Sequence, residues 1–281
     1  MQRIPLLAGL LVTALLTAAT ATLSATTQAE TRTARQEVAS SSALLVDLGS
    51  GEVLYESHAD TVVPIASVTL DEILPVVIDD VPEMRGVYSR VRLGSTLTRR
   101  ELPLITLMSS ENRAAATLAH HFPGGVEAFV LEMNFLAKAH GMADTWFAEP
   151  TGLSRNNLST ARDVVKLVQA TERFPLIGEF SSTSARTVTF GSPSYSLEFR
   201  NTNHLVNNPD WRIDMTKTGF TNAAGRCLVM KTEIDRRPVA FVLLDAYGKL
   251  THTADATRLK RWIETGQVTP VAREALVYRQ E

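Results

Sequence analysis

The chain has 281 residues, 44 % of them hydrophobic, which is enough for one large domain or two small ones around a sizeable core. Its 28 Lys and Arg against 30 Asp and Glu leave a formal charge of −2, which gives no case for a nucleic-acid surface. The single cysteine, Cys227, excludes an internal disulfide, and its apolar run Cys227-Leu228-Val229-Met230 reads as a buried structural thiol.

The N-terminus has one positive side chain in Met1-Gln2-Arg3, a mostly apolar stretch over residues 4–19, and small uncharged residues up to Ala29. That layout predicts a secretory signal peptide over 1–29, cleaved after Ala29 or Ala25. The competing reading is a membrane anchor, but Pro5 and Gly9 interrupt a core shorter than the ~20 residues of a span. Residues 30–41 are polar and small, and are expected to form a disordered lead-in to a domain over 42–270, with 271–281 as a tail.

Within that domain, runs at 42–47 and 52–57 around Gly49-Ser50-Gly51 predict a β-hairpin. Pro64 then leads to Ser67, which is either a helix cap or a nucleophile carried at a helix start. Residues 68–74 allow at most two helical turns before Pro75. Alternation over 87–93 predicts a strand. Helices are expected over 98–108, 113–121 and 126–140, the last closed by Gly141. Glu149-Pro150-Thr151-Gly152 reads as a turn. Thr160 and Asp163 read as a capping box opening a helix to Thr171. Residues 188–199 alternate around Gly191-Ser192-Pro193, and 201–210 form a polar loop. Three runs at 213–217, 226–232 and 239–245 predict an antiparallel meander, followed by a helix over 253–265. The order implies an α+β fold: one antiparallel sheet built from both chain ends, with an inserted helical region.

The chemistry-bearing stretches are Ser110-Glu111-Asn112 and Lys217-Thr218-Gly219, which follow Ser67 in that order. Serine acyl-transfer enzymes combine Ser-x-x-Lys, Ser-x-Asn and Lys-Thr-Gly. A serine hydroxyl needs a neighbour to take its proton, and a desolvated lysine can do so. A strand edge can pair with a peptide while its Lys and Thr hold a carboxylate. Each short motif alone is weak; Ser110 could be an N-cap, and Lys217-Thr218-Gly219 a strand entering a turn.

The longer context is specific. Met108 to Ala116, Glu149-Pro150-Thr151-Gly152-Leu153, Arg200 to Leu205 and Thr216 to Gly225 together resemble the low-molecular-mass penicillin-binding proteins, most closely the D-alanyl-D-alanine endopeptidase branch of the penicillin-binding protein 7 type. The resemblance covers about 42–270 and implies the penicillin-binding protein or β-lactamase-like transpeptidase fold. It implies cleavage of peptide bonds after D-alanine in peptidoglycan, through an acyl-serine that β-lactams trap. Carried over by motif, Ser67 is the nucleophile, Ser110 and Asn112 are the second catalytic element, and Lys217, Thr218 and Gly219 bind substrate. No metal or organic cofactor is implied. The expected setting is the periplasm, with peripheral association to membrane or cell wall.

One position departs from the pattern. Leu70 stands where Ser-x-x-Lys has its lysine, and the long apolar helix that follows in the family is missing. The sequence implies a deletion after Thr69 of about a dozen residues or more, an ordinary helix length. Loss of a general base costs roughly 10²–10⁴ in rate. The expectation is therefore an impaired D-alanyl-D-alanine peptidase, or alternatively a muropeptide-binding pseudoenzyme. A β-lactamase would need a water-activating carboxylate, for which Glu149 and Glu172 are candidates. His120-His121 reads as a surface helix end rather than a metal site, Trp146, Trp211 and Trp262 as core or groove residues, and Asp163 with Lys166 as a solvated pair.

Overall fold

A computed structural model describes residues 36–60, 63–64, 80–192 and 194–278. The signal-peptide stretch, Ser67, Leu70 and the short helix expected over 68–74 lie outside the described residues.

Strand β1 (Ser40–Asp47) turns back into β2 (Val53–Ser57), as the hairpin pattern predicts. Asp47 makes the turn: its Oδ1 accepts from the Gly49 and Ser50 amides at 2.8 and 2.9 Å, and Arg237 Nε reaches its other oxygen at 2.6 Å. These donors hold the Asp47 carboxyl at about 2. The short β3 (Val63–Pro64) follows. The helical region comprises α1 (Glu101–Ser109), α2 (Asn112–His120), α3 (Gly125–Ala139), the two-residue β4 (Leu158–Ser159), α4 (Ala161–Thr171) and α5 (Pro175–Ser182). A hairpin of β5 (Ala185–Phe190) and β6 (Tyr195–Arg200) follows. The meander β7 (Ile213–Thr221), β8 (Gly225–Ile234) and β9 (Arg237–Ala246) leads into α6 (Thr251–Thr265), and α7 (Arg273–Tyr278) closes the described chain.

The main sheet runs β2-β1-β9-β8-β7, antiparallel throughout, so strands from both chain ends meet where β1 pairs with β9. Its central strands are covered on both faces, which is why they read as nearly continuous apolar runs. Leu44, Val229, Val242 and Leu244 pack toward α3 and α4, against Phe129, Val164 and Val168. Leu45, Leu228, Phe241 and Leu243 pack on the other face against Ala256 and Leu259 of α6. At about 1.5–3 kcal/mol per buried aliphatic side chain, these two layers hold the ends of the chain together. A third cluster joins Leu102, Ile105 and Met108 of α1 to Phe190 and Phe199 of the small hairpin.

Several expectations are corrected. Residues 36–40, expected within the disordered lead-in, are tied to the body: Gln36 and Thr269 exchange two hydrogen bonds of 2.9 Å, and Asp255 Oδ2 accepts from the Ala39 and Ser40 amides at 2.8 and 2.9 Å. Part of the expected tail is α7, whose Tyr278 hydroxyl donates to Asp245 at 2.6 Å. The strand expected over 87–93 is irregular. Its backbone is satisfied by side chains, with Val91 N donating to Ser89 Oγ, Arg92 N to Tyr195 Oη and Arg113 to the Val91 carbonyl. Only Val91 of the alternating set is fully buried, and Tyr88 is 87 % exposed. Helix α5 was not expected from the sequence, although Pro175 occupies a helix start, where its fixed φ is favourable.

Asp163 neither completes a capping box nor faces solvent. Thr160 Oγ1 accepts from the Asp163 amide at 3.1 Å, but the Asp163 carboxylate is 1 % exposed and turns to Asp144 N, Thr145 Oγ1 and Lys166 Nζ. Of the tryptophans expected in core or groove, Trp146 is 58 % exposed and Trp211 is buried against Phe241.

Among the described residues, a half-open, mostly apolar cavity of about 550 Å³ lies between the helices. Its walls include Leu107 of α1, Leu118 of α2, Phe129 and Met133 of α3, and Ile177 and Phe180 of α5.

Candidate active site

Helix α1 opens on Thr98 and Glu101, whose side chains bond at 2.7 Å, and tolerates Pro103 because the first-turn amides need no intrahelical partner. It stops at Ser110, which adopts left-handed φ 54° and ψ 42° while its amide donates to the Ile105 carbonyl. That conformation is costly for a residue with a Cβ, about 1–3 kcal/mol, and such strain gathers at functional sites. The kink starts α2 in a new direction. Glu111, not Ser110, caps α2: its carboxylate accepts from Arg113 N at 3.0 Å and from Ser89 Oγ at 2.9 Å. Burial raises the Glu111 pKa against the pull of those two donors. The N-cap reading of Ser110 is therefore wrong, and its hydroxyl is available for the strand opposite.

That strand is β7, at the end of the sheet. Lys217 lies opposite Val229 in the β7–β8 register and is 4 % exposed. Its Nζ donates to Ser110 Oγ and to the Thr218 carbonyl, the latter at 2.7 Å. Burial brings the Lys217 ammonium down to about 7. Thr218 Oγ1 bonds Thr202 Oγ1 at 2.6 Å, and Thr202 is itself fixed by its amide on the Met108 carbonyl at 3.0 Å. Asn112 Nδ2 reaches the Thr151 carbonyl at 3.3 Å.

The turn carrying Thr151 is held by buried Glu149, which accepts from Thr151 N at 2.6 Å, Ser154 N at 3.1 Å, Asn157 Nδ2 at 2.7 Å and Thr151 Oγ1. Glu149 is thus a structural anchor for the turn. Glu172 pairs with Lys231 at 2.6 Å on another face. Neither lines the cavity that Ser110 and Thr218 share.

Ser110, Asn112, Thr218, Gly219, Phe220 and Arg226 line a cavity of about 330 Å³. Four cationic or titratable groups, Arg226, His204, Lys249 and His252, also line it. His252 is buried, which together with the charges of Arg226 and His204 depresses its pKa to about 4. The Arg226 guanidinium stacks 4.1 Å from the Phe220 ring centre. The structure thus brings together five of the six expected site residues: Ser110, Asn112, Lys217, Thr218 and Gly219. Ser67 lies outside the described residues. The contributions of Arg226 and His252 were missed, because neither belongs to a short motif and only the fold carries them to the cavity.

His120 Nδ1 bonds Asp80 at 2.9 Å, and the two histidine rings meet edge to face. Among the described residues, no three His, Cys, Asp or Glu side chains cluster as a metal site.

Comparison with known proteins extends these observations. The sequence profile of the D-alanyl-D-alanine carboxypeptidase family matches residues 69–248. A D-alanyl-D-alanine endopeptidase of Escherichia coli strain K12 is 54 % identical over 267 residues, covering 90 % of this chain and 86 % of that protein. One from Pseudomonas aeruginosa is 55 % identical over 259 residues, covering 87 % and 84 %. Penicillin-binding protein D2 of Listeria monocytogenes, solved in its cefotaxime-bound form, aligns at 28 % identity with a TM-score of 0.68, covering 83 % of this chain and 98 % of that one. The fold and the paired motifs define a penicillin-binding-protein type of transpeptidase fold. The chain belongs to the D-alanyl-D-alanine carboxypeptidase family of serine peptidases, which act on peptidoglycan, and is similar over most of its length to the endopeptidase branch.

Proposed function

We propose that this chain is an exported D-alanyl-D-alanine endopeptidase or carboxypeptidase of peptidoglycan peptides, acylated at Ser67 and slowed by the loss of its motif lysine to Leu70. The observation that carries the reading is the contact of Lys217 Nζ with Ser110 Oγ, which joins two motifs far apart in sequence on the edge strand of the sheet. An extended peptide can add to that edge by backbone pairing. Its terminal carboxylate would meet Thr218 and the cationic wall. Asn112 would hold its amide, and Ser110 would pass a proton to the leaving amine. Pro64, three residues before Ser67, is paired to Leu158.

The deletion has independent support. The alignment to the Escherichia coli relative spans 267 positions but 90 % of this chain, about 253 residues, leaving about 14 positions without a counterpart, an ordinary helix length. The half-open, mostly apolar cavity between α1, α2, α3 and α5 supports this reading as a surface that such a helix would cover. Export to the periplasm rests on the N-terminal pattern, and a mature N-terminus after Ala25 or Ala29 in a periplasmic fraction would test it.

The functional test is release of D-alanine or of cross-linked peptide from muropeptides, with parallel labelling by a fluorescent penicillin. A rate roughly 10²–10⁴ below that of an intact relative is expected. A rate typical of the relatives would refute the impairment, and absence of any muropeptide binding would refute the assignment of the groove. Binding without turnover would favour the pseudoenzyme, which Leu70 also supports.

A further inference from the structure

We propose, resting on the peptidoglycan reading above, that a second cavity, lined by Arg85, Tyr88, Ser89, Leu93 and Arg113, is an accessory site for carboxylate-bearing peptides of the peptidoglycan strand. Its volume is about 510 Å³, and it shares no lining residue with the groove of Ser110 and Thr218. Among the described residues, no Asp or Glu lines it, so Arg85 and Arg113 give it a positive charge. Tyr88 is 87 % exposed and Leu93 60 %. Exposed apolar groups rimmed by charge mark a surface kept for an interaction rather than for the folding core.

The charge is segregated along the chain. Residues 85–113 carry six arginines against two glutamates, a formal +4 in a chain of −2. Of the exposed arginines there, Arg100 pairs with Glu179, whereas Arg85, Arg90, Arg92 and Arg99 have no carboxylate partner among the described residues. Aromatic rings hold two of them instead. Arg90 Cζ lies 5.2 Å from the Phe199 ring centre, and Arg92 Cζ 4.6 Å from that of Tyr195. Arg113 Nη1 donates to the Val91 carbonyl at 2.6 Å. Ser89 Oγ donates to Glu111 at 2.9 Å and accepts from the Val91 amide at 3.0 Å. These contacts hold the irregular stretch over 87–93 in one shape and leave Arg85, Arg90 and Arg92 for an outside anion. A surface ordered in advance loses less entropy on binding.

Charge and place select the occupant. A guanidinium fork matches a carboxylate with two parallel hydrogen bonds, and the polymer proposed above as substrate carries carboxylates on its peptides. The exposed Tyr88 ring offers a flat face to a sugar. Asn112 and Arg113 are consecutive, yet Asn112 lines the groove and Arg113 the second cavity. One strand can therefore lay one peptide in the groove and a neighbouring one in the cavity. Tethering turns the second contact into an intramolecular one, so two weak contacts hold the polymer more tightly than either alone. A bilayer fits less well: a recessed site does not lie flat on it, and Tyr88 and Leu93 offer little apolar area for insertion.

The test is co-sedimentation of the mature chain with insoluble peptidoglycan on ice, beside two variants at exposed positions, Arg85→Glu and Tyr88→Ser. Each variant should bind the polymer about tenfold more weakly. Added salt should weaken the native chain more than Arg85→Glu. Labelling by a fluorescent penicillin and release of D-alanine from a small soluble muropeptide should stay within about twofold of the native chain, which also shows that the variants fold. On peptidoglycan whose carboxylates have been converted to amides, the native chain and Arg85→Glu should bind alike. Equal binding of the unmodified polymer by both would overturn the inference and leave the proposed function standing. An equal loss of polymer binding and penicillin labelling in the variants would also overturn it, because these side chains would then act through the groove or the fold. Loss of binding to phosphatidylglycerol vesicles, with polymer binding intact, would assign the surface to lipid headgroups instead. A native chain that holds neither the polymer nor the soluble muropeptide would remove the groove assignment as well.

Discussion

The residue on which the site turns is Lys217. Sequence placed it on a strand, but not in an environment that shifts its charge. The contact with Ser110 depends on packing between α1 and β7, which short motifs do not encode. Its burial has a consequence for stability. The folded pKa of about 7 lies below the ordinary 10.5, so between those values the unfolded chain binds more protons than the folded one. Stability should therefore rise as pH increases from about 7 toward 10.5, and the burial penalty is fully present below 7. Urea midpoints measured across that window should climb in the native chain and stay flatter in Lys217→Met. The methionine variant should also be the more stable of the two at pH 7, since a similar volume is buried without a charge. A native profile that stays flat would mean that Lys217 is solvated.

At the scale of elements, the sequence was most legible where local signals agreed with each other. The β1–β2 hairpin, the β7–β8–β9 meander and helices α3, α4 and α6 each combined periodicity with a turn or cap. It misled where the backbone found partners among side chains, as over 87–93, and where a short helix such as α5 had little beyond Pro175 to announce it. The start of α4 separates two kinds of terminus energetics. Thr160→Ala removes one cap bond and should lower stability by about 1 kcal/mol. Asp163→Ala should cost more, roughly 3 kcal/mol, because it strips a buried carboxylate from Asp144 N and Thr145 Oγ1 and leaves the Lys166 ammonium, bonded at 2.7 Å, without its carboxylate. Denaturant unfolding of the two variants gives the comparison. Equal losses would mean that the Asp163 network contributes no more than a surface cap.

At the scale of the molecule, packing and chemistry point to the same vacancy in the sequence. The cavity of about 550 Å³ is lined mostly by apolar side chains from α1, α2, α3 and α5. Covering such an apolar surface stabilises by roughly 1.5–3 kcal/mol for each large side chain buried. We expect that inserting an apolar helix of about 14 residues after Thr69, with lysine as its first residue, would act on both deficits. The melting temperature should rise, binding of an environment-sensitive apolar dye should fall, and penicillin acylation at Ser67 should increase by about 10²–10⁴. The same insertion with leucine in place of that lysine separates the two effects. It should recover the melting temperature while leaving acylation at Ser67 low. If the lysine form gains neither stability nor acylation, the cavity is not the place of a lost helix, and Leu70 does not mark a lost base.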